Sequence, residues 1–208
     1  NLLSAGILAA VLVGCSEDEA TEPVEQPSTE QASEEAEVQQ ASTRTITDAL
    51  GNEIEIPANP ERIIATYLED NLVALGITPV AQWSVNDGAS IQGYLQAALK
   101  DVPTIPHDLP FEAVQSFNPD LIIMDSASMV EGDKYSQYSK LAPTYVIGEA
   151  VNNDWRDELT RVGEVFGKED VAKQALSDYD TKASAAKEEL KAKVGETSVA
   201  AVWLVSGS

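Results

Sequence analysis

The chain has 208 residues, of which 43% are apolar, and its 35 acidic and 13 basic side chains give a formal net charge of -22 at pH 7. This length allows one or two domains with a hydrophobic core. The charge argues against nucleic acid as a partner, because phosphate binding requires a basic surface. The acidic surplus persists from residue 43 onward, where 26 acids stand against all 13 bases.

An apolar run begins the chain and ends at its single cysteine. Residues 2–13 are too few to span a bilayer as a helix. They fit the apolar region of a secretory signal peptide whose charged start precedes Asn1. The run ends in Leu12-Val13-Gly14-Cys15, which resembles the lipobox of bacterial lipoproteins. We therefore expect a signal peptide at residues 1–15 and a lipid anchor on Cys15. The alternative is a buried core segment with a chance cysteine.

Residues 16–42 contain nine acids, no Lys or Arg and no aromatic residue. Such a composition cannot bury enough apolar surface to offset the entropy lost on ordering. The segment is therefore predicted to be a disordered acidic tether, which as a random coil would span roughly 30 Å. An acidic interaction tail is the alternative interpretation.

Strand-like and helix-like segments alternate after the tether. Alternating polarity at residues 43–47 and 53–56 predicts a hairpin, and later apolar runs predict further strands that helices separate. The predicted strands after the hairpin are residues 63–65, 80–81, 121–124 and 145–147. The predicted helices are residues 69–75, 91–99, 111–117 and 154–166. This order is typical of a layered α/β domain around a parallel sheet, here a Rossmann-like lobe over residues 43–166.

A long helix is predicted at residues 168–194, a segment without Gly or Pro. Its apolar residues recur at spacings of three or four, so they share one stripe. They are Val171, Ala175, Tyr179, Ala183, Ala186, Leu190 and Val194. We interpret residues 167–194 as a spine joining two lobes and residues 195–208 as the first strand of a truncated C-terminal lobe. A coiled-coil arm is the alternative.

The chain resembles the class III substrate-binding proteins of ABC importers, in which one long helix joins two α/β lobes. The resemblance covers residues 43 to 205 and rests on segments such as Arg44-Thr45-Ile46-Thr47-Asp48 and Asn118-Pro119-Asp120-Leu121-Ile122-Ile123. The segment Tyr67-Leu68-Glu69-Asp70-Asn71 is most similar to the iron-hydroxamate-binding lipoproteins of Gram-positive bacteria. The resemblance implies a rigid binder with its ligand in a shallow cleft between the lobes.

Loops that follow the carboxyl ends of predicted strands are expected to line this cleft. They run over residues 66–70, 82–93, 125–133 and 148–155. Their aromatic, hydroxyl and amide side chains suit a largely apolar chelate that carries polar carbonyl groups. The candidate ligand residues are Tyr67, Trp83, Ser84, Asn86, Ser126, Ser128 and Trp155. For Trp83 and Trp155, ordinary packing is the competing interpretation.

The charge of these loops favours one class of siderophore. They contain no Arg or Lys but carry Glu69, Asp70, Asp87 and Asp125. Ferric catecholates and citrate-type chelates are anionic and would require Arg or Lys in the cleft. A neutral or cationic ferric hydroxamate fits the loops better, unless a second lobe supplies arginines.

The resemblance also implies how the protein works in a cell. Members of this class dock on an ABC permease through an acidic residue on each lobe, and the matching residue here is Glu112, in the first turn of a predicted helix. Its alternative role is to stabilise the helix dipole. We expect a monomeric lipoprotein, anchored to the membrane through Cys15 on the outer face of a Gram-positive-type cell, with no cofactor and no direct bond between protein and metal.

Other functions have weaker support in the sequence. Haem, cobalamin or a ferric catecholate remain as alternative ligands within the same class. The chain lacks the glycine-rich and serine motifs of common enzymes, so an exported enzyme would depend on His107 beside Asp108. A site for bare zinc or manganese would require several histidines, and the chain has one.

Overall fold

The computed structural model describes residues 43–150 and 153–195, together with the single positions 198, 200 and 202. The strands in this part are β1 Thr43–Thr47, β2 Glu53–Pro57, β3 Ile63–Ile64, β4 Gln82–Ser84, β5 Thr104–Pro106, β6 Leu121–Met124 and β7 Thr144–Val146. The helices are α1 Glu69–Ala74, α2 Gln96–Leu99, α3 Phe111–Ser116, α4 Lys134–Tyr138, α5 Trp155–Phe166 and α6 Glu169–Val194. The predicted signal peptide, Cys15 and the tether lie outside the described residues, as does most of the strand predicted from residue 199 onward.

A parallel sheet forms the centre of the domain and confirms the predicted α/β class. β6 lies between β3 and β7, and both neighbours are parallel to it. β4 and β5 form a second parallel pair. The backbone N–H of Val80 donates to the carbonyl of Ile63 at 2.9 Å, so the segment before β4 runs beside β3.

Both faces of the sheet are covered, as the continuous apolar run of β6 predicts. Successive residues of a strand point to opposite faces. Leu121 and Ile123 therefore pack into a cluster with α1, α5 and the start of α6. Ile122 and Met124 pack into a second cluster with α3 and α4. The three layers leave the carboxyl-terminal edge of the strands as the place where loops converge.

The hairpin of β1 and β2 is antiparallel, as predicted, with Thr43 opposite Pro57 and Thr47 opposite Glu53. Its turn is organised by Asp48, which is 6% exposed. The Asp48 carboxylate accepts from the N–H groups of Leu50 at 2.9 Å and Asn52 at 2.8 Å, and from the Asn52 amide at 3.0 Å. The N–H of Ala49 then donates to the carbonyl of Val146 at 3.0 Å, which joins the turn to β7.

Two predicted elements differ from the structure. The strand expected at residues 80–81 begins at Gln82, so Trp83 and Ser84 lie within β4 rather than in the loop after it. The helix expected at residues 91–99 is a 3₁₀ turn at Gly93–Leu95 followed by the four residues of α2. A glycine inside so short a segment weakens an α-helix, which is consistent with the tighter turn.

The long helix α6 spans 26 residues, or about 39 Å. The apolar stripe predicted for α6 coincides only partly with the helix face that packs against the domain. Ala172 is buried against Gly163 of α5, whereas Val171 of the predicted stripe is 43% exposed. A small side chain is required here, because Gly163 brings the two helices close together. Tyr179, Leu190 and Val194 of the stripe are also exposed. The role of α6 as a spine between lobes stays a prediction.

Candidate functional site

The loops after β3, β6 and β7 meet at one edge of the sheet and enclose a cavity of about 400 Å³. Its described lining comes from three parts of the chain that are far apart in sequence. The lining residues are Tyr67, Asp125, Ser126, Ser128, Met129, Asn153 and Glu158. Three of the predicted ligand residues, Tyr67, Ser126 and Ser128, therefore share one cavity, as the rule for parallel sheets leads one to expect.

One aromatic residue of the lining, Tyr67, packs against a second aromatic residue, Trp83, which does not itself line the cavity. Tyr67 is 44% exposed and lies edge-to-face on Trp83, with 5.2 Å between the ring centroids. The backbone of Tyr67 has a φ of +66°, which is uncommon for a residue with a Cβ atom. We call Tyr67 and Trp83 the aromatic wall. Strained backbone of this kind persists where the surrounding structure holds it, often at a binding site.

The other residues predicted after β4 lie apart from the lining. Ser84 is 1% exposed, and its hydroxyl group donates to the carbonyl of Ile105 at 3.0 Å. Asn86 is exposed in a tight turn, with a φ of +52°. Ser84 thus links β4 to β5, and its part in ligand binding, like that of Asn86, stays a prediction.

A pair of hydroxyl groups marks the floor of the cavity. Ser126 is 1% exposed and lies 2.9 Å from the hydroxyl oxygen of Ser128, which is itself exposed. The Ser126 hydroxyl also donates to the carboxylate of Asp125 at 3.2 Å. Because the single hydroxyl proton of Ser126 goes to Asp125, Ser128 is the donor in this pair. Ser128 is the exposed member of the pair, so its hydroxyl group would have to exchange this bond to donate to a ligand carbonyl.

Two polar residues of the lining, Asn153 and Glu158, were not predicted. The Asn153 amide donates to the carbonyl of Asp125 at 3.0 Å and lies against Gly148. A Cβ atom at position 148 would collide with this amide. In the sequence, a glycine shortly after β7 is followed five residues later by an amide side chain. This pattern could have indicated that Asn153 folds back against Gly148.

The cavity carries negative charge. Burial raises the pKa of Asp125, although its hydrogen bond from Ser126 acts in the opposite direction. Burial also raises the pKa of Glu158, and the nearby charges of Asp125 and Asp70 add to this effect. Among the described lining residues, none is a Lys or Arg. An anionic ligand would therefore find no counter-charge among these lining residues.

Trp155 belongs to a different cluster. Its ring lies 4.7 Å from that of Tyr179 on α6, and the guanidinium carbon of Arg156 lies 4.2 Å from the Trp155 ring centroid. Arg156 also pairs with Asp180 at 2.8 Å. These contacts join the start of α5 to the exposed part of α6, which agrees with the packing interpretation. Trp155 is still 40% exposed, and its contact with ligand stays a prediction.

A carboxyl group that sequence reasoning counted among the charges of the ligand loops is instead buried. Glu69 is the first residue of α1 and is 0% exposed. Its Oε1 atom accepts from the backbone N–H of Trp83 at 2.6 Å. Burial is the main cause that raises its pKa from 4.5 to about 7. The burial of Glu69 could have been predicted from its spacing to Leu72. The two residues are three apart and therefore share one helix face, and Leu72 is fully buried.

The sequence profile of the periplasmic binding proteins matches residues 65–208. The chain belongs to the periplasmic binding protein family. The matched range contains the whole cavity lining and covers more than half of the chain. It also includes the aromatic wall and all of α6.

Similar proteins support this family assignment. The probable siderophore-binding lipoprotein YfiY of Bacillus subtilis (strain 168) is 34% identical over 182 residues, which are 85% of this chain and 54% of YfiY. The iron(3+)-hydroxamate-binding protein YxeB of the same organism is 29% identical over 192 residues, 91% of this chain and 54% of YxeB. The chain thus spans about half the length of the curated relatives it matches.

A solved structure confirms the fold. Staphylococcus aureus SirA, crystallised with staphyloferrin B, superimposes with a TM-score of 0.60 at 30% sequence identity. The match covers 73% of this chain and 51% of SirA. The α/β lobe with a parallel sheet is therefore the architecture of a periplasmic binding protein.

The predicted docking residue of this periplasmic binding protein lies on its surface. Glu112 is exposed in the first turn of α3. The other end of α3 is held by Arg62, whose guanidinium group donates to the carbonyls of Phe117 and Asn118. Glu112 is thus presented on a fixed helix, and its contact with a permease stays a prediction.

The remaining features concern metals and membranes. Within the part of the chain that the structure describes, no group of three His, Cys, Asp or Glu residues is placed to hold a metal ion. None of the described helices combines the length and apolar character that a membrane span requires.

Proposed function

We propose that the protein captures a ferric siderophore of the hydroxamate type outside the cytoplasm and delivers it to an ABC importer. In this proposal it acts as a binding protein rather than an enzyme, it requires no cofactor, and its ligand is the iron chelate itself. Cys15 holds it to the outer face of the membrane as a monomer. The names of its relatives YfiY and YxeB support siderophore binding and, for YxeB, the hydroxamate class.

The observation that carries the proposal is the character of the 400 Å³ cavity. It combines an aromatic ring at Tyr67, an exposed hydroxyl group at Ser128 and the carboxyl groups of Asp125 and Glu158. A ferric trihydroxamate is neutral at its iron centre and presents carbonyl oxygens and alkyl chains. The ring and hydroxyl group suit those features, whereas the acids would repel a ferric catecholate trianion.

The crystal structure of SirA contains staphyloferrin B, so the shared fold alone does not fix one siderophore class. The distinction between classes therefore rests on the charge of the described cavity. A lobe outside the described residues that contributed arginines would reverse the preference, and the experiment below is designed to detect that.

The test is tryptophan fluorescence quenching on the full-length protein without its acyl group. Cationic ferrioxamine B, neutral ferrichrome, a ferric catecholate, haemin and cobalamin are titrated in parallel. We expect saturable quenching by the hydroxamates, at ligand concentrations below about 1 μM. A preference for the catecholate would refute the charge argument. A preference for haemin or cobalamin would refute the siderophore assignment.

Two variants of one helix sharpen this test. Glu158→Gln removes a charge from the cavity lining, so it should weaken ferrioxamine B more than ferrichrome. Glu164→Gln removes an exposed charge from the same helix and should change neither affinity. Equal effects of the two variants on ferrioxamine B would mean that the cation does not lie beside Glu158.

Delivery to the importer is tested separately. Glu112→Ala should lower uptake of the ferric siderophore by cells while leaving its affinity for the purified protein unchanged. The matched control is Asp170→Ala, which removes an exposed acid from the first turn of α6. Normal uptake by the Glu112 variant would remove α3 from the docking surface.

A further inference from the structure

Glu69 occupies an unusual position beside the ligand cavity. It begins α1, yet its side chain is completely buried. Oε1 accepts from the N–H of Trp83 at 2.6 Å. Oε2 is also buried and finds no hydrogen-bond partner among the described residues. Burying a carboxyl group with one oxygen unpaired lowers the stability of the folded protein. The presence of such a group beside the cavity therefore requires an explanation.

The hydrogen bond of Glu69 connects α1 to the aromatic wall across 14 residues of sequence. Trp83 contacts the ring of Tyr67 at 5.2 Å between centroids, and Tyr67 lines the cavity. Tyr67 also lies two residues before Glu69 and has a φ of +66°. The carboxyl group of Glu69 therefore accepts a hydrogen bond from one member of the wall, Trp83, and also interacts with the backbone of the other, Tyr67.

We infer that Glu69 is a positioning residue for the ligand cavity, which holds the aromatic wall in place when its carboxyl group is neutral and loosens it when the group ionises. This inference rests on the proposed function, because the wall is taken to contact the siderophore. Glu69 acts through Trp83 and Tyr67 and does not line the described cavity itself.

The charges around Glu69 favour the neutral form. Asp70 on the same helix repels a second negative charge, although the backbone N–H groups of Trp83, Glu69 and Tyr67 favour ionisation. Tyr94, on the 3₁₀ turn packed against α1, feels the charges of both Asp70 and Glu69. Glu158, on α5, feels Asp70 and Asp125. Because burial dominates, the pKa of Glu69 is about 7, so its charge changes near neutral pH.

Ionisation would alter the wall for a physical reason. A buried carboxylate is stabilised only by hydrogen bonds, nearby cations or water. Glu69 has a short hydrogen bond from Trp83 and weaker interactions with its own backbone and that of Tyr67, and its neighbour Asp70 has the same sign of charge. Admission of water to the unsatisfied oxygen requires movement between α1 and β4. That movement displaces Trp83 and, with it, the ring of Tyr67.

The ligand for the test must be electrically neutral. Asp125 and Glu158 line the cavity and also titrate above their ordinary range. Their ionisation strengthens binding of a cation as pH rises, which would mask an opposite effect from Glu69. Ferrichrome is therefore the probe, because the charge of the cavity lining affects a neutral chelate least.

The first measurement is the affinity for ferrichrome across the neutral pH range. If binding requires neutral Glu69, the apparent Kd should rise roughly tenfold between pH 6 and pH 8, in proportion to the loss of the competent form. Glu69→Gln keeps an acceptor for the N–H of Trp83 and cannot ionise, so its affinity should vary less than about twofold. Glu169→Gln is the matched control, since Glu169 is the first residue of α6 and is exposed. It should retain the wild-type profile.

A second measurement works without ligand. Replacing Trp155, Trp203 and any tryptophan outside this sequence by Phe leaves Trp83 as the single tryptophan of the protein. Its emission should change in a transition centred near pH 7, and Glu69→Gln should remove that transition. If the Gln variant does not fold, a flat emission profile of the protein that retains Glu69 still overturns the inference.

The two measurements separate the possible failures. An emission transition that depends on Glu69, with no binding of ferrichrome or any other chelate, supports the role of Glu69 in positioning the wall and refutes the proposed function. Ferrichrome binding whose affinity and emission are constant from pH 6 to pH 8 supports the proposed function and overturns the inference. A transition that persists in Glu69→Gln assigns it to another group and also overturns the inference.

Discussion

Two buried carboxyl groups in this domain have opposite surroundings. Asp48 in the hairpin turn is 6% exposed and accepts three hydrogen bonds. Glu69 at the start of α1 is 0% exposed and accepts one from the N–H of Trp83, while its second oxygen has no partner in the described part of the chain. Burial alone therefore does not mark a functional acid. The difference in hydrogen bonding separates a carboxyl group that builds a turn from one whose second oxygen is left unpaired.

The largest effect is expected from removing the satisfied carboxylate. Asp48→Ala should lower the free energy of unfolding by roughly 3–4 kcal/mol, because hydrogen bonds to a charged group contribute about 1.5–3 kcal/mol each and these share one partly buried turn. Urea denaturation at pH 7 measures this. Asp101→Ala is the control, since this acid pairs with Lys100 on the surface and should change stability by less than about 0.5 kcal/mol. A similar small loss for Asp48→Ala would mean that solvent replaces its bonds.

The next effect is the pH dependence of stability caused by Glu69. Its pKa is raised in the folded state from 4.5 to about 7, so the folded protein binds more protons than the unfolded chain between these values. The stabilisation is complete below pH 4.5 and is lost as pH rises through about 7. The stability lost in this way is about 3 kcal/mol, because each pKa unit of difference between the folded and unfolded states corresponds to about 1.36 kcal/mol.

This pH effect is measured as a difference between two proteins. Wild-type stability minus that of Glu69→Gln should fall as pH rises from 5 to 8, when both are unfolded with urea. Asp125 and Glu158 also have raised pKa values and act in the same direction, but their contributions are common to both proteins and cancel. A constant difference would show that Glu69 is ionised, or equally solvated, in both states.

A smaller effect is expected from removing the hydrogen bond without the charge. At pH 5, where Glu69 is neutral, Glu69→Leu leaves the N–H of Trp83 without its acceptor, whereas Glu69→Gln retains one. We expect Leu to be less stable than Gln by about 2 kcal/mol, the typical penalty for a buried unpaired donor. Equal stability of the two variants would show that the 2.6 Å bond contributes nothing measurable.

The elements with a clear period could be predicted from the sequence. The hairpin, β6 and the helices α3, α5 and α6 lie within a residue or two of their expected bounds. The strand β5 was missed, because Thr104–Pro106 is three residues long and proline both precedes and ends it. So short a segment becomes a strand through its pairing with β4, which a local pattern does not contain.

Site residues could be predicted where their position follows from the order of the strands. They could not be predicted where their position depends on side-chain packing. Tyr67, Ser126 and Ser128 share a cavity because parallel strands carry their following loops to one edge. Ser84 was placed in a loop because the start of β4 was set two residues too early. Glu69 was taken for an exposed charge, because an acid in the first turn of a helix is normally solvated. Its burial arises from contact with β4.

The smallest effect tests the other unsatisfied atom, the indole Nε1 of Trp83, which is buried and has no acceptor among the described residues. Trp83→Phe removes this donor and keeps an aromatic ring against Tyr67. The relief of an unpaired buried donor should offset much of the lost ring volume, so we expect a net loss below about 1 kcal/mol at pH 5. Trp83→Ala, the control that removes the ring itself, should lose clearly more. A loss above about 2 kcal/mol for the Phe variant would mean that Nε1 is hydrogen-bonded in solution. A water shared with the free oxygen of Glu69 would then be the simplest partner, and Glu69 would be as well satisfied as Asp48.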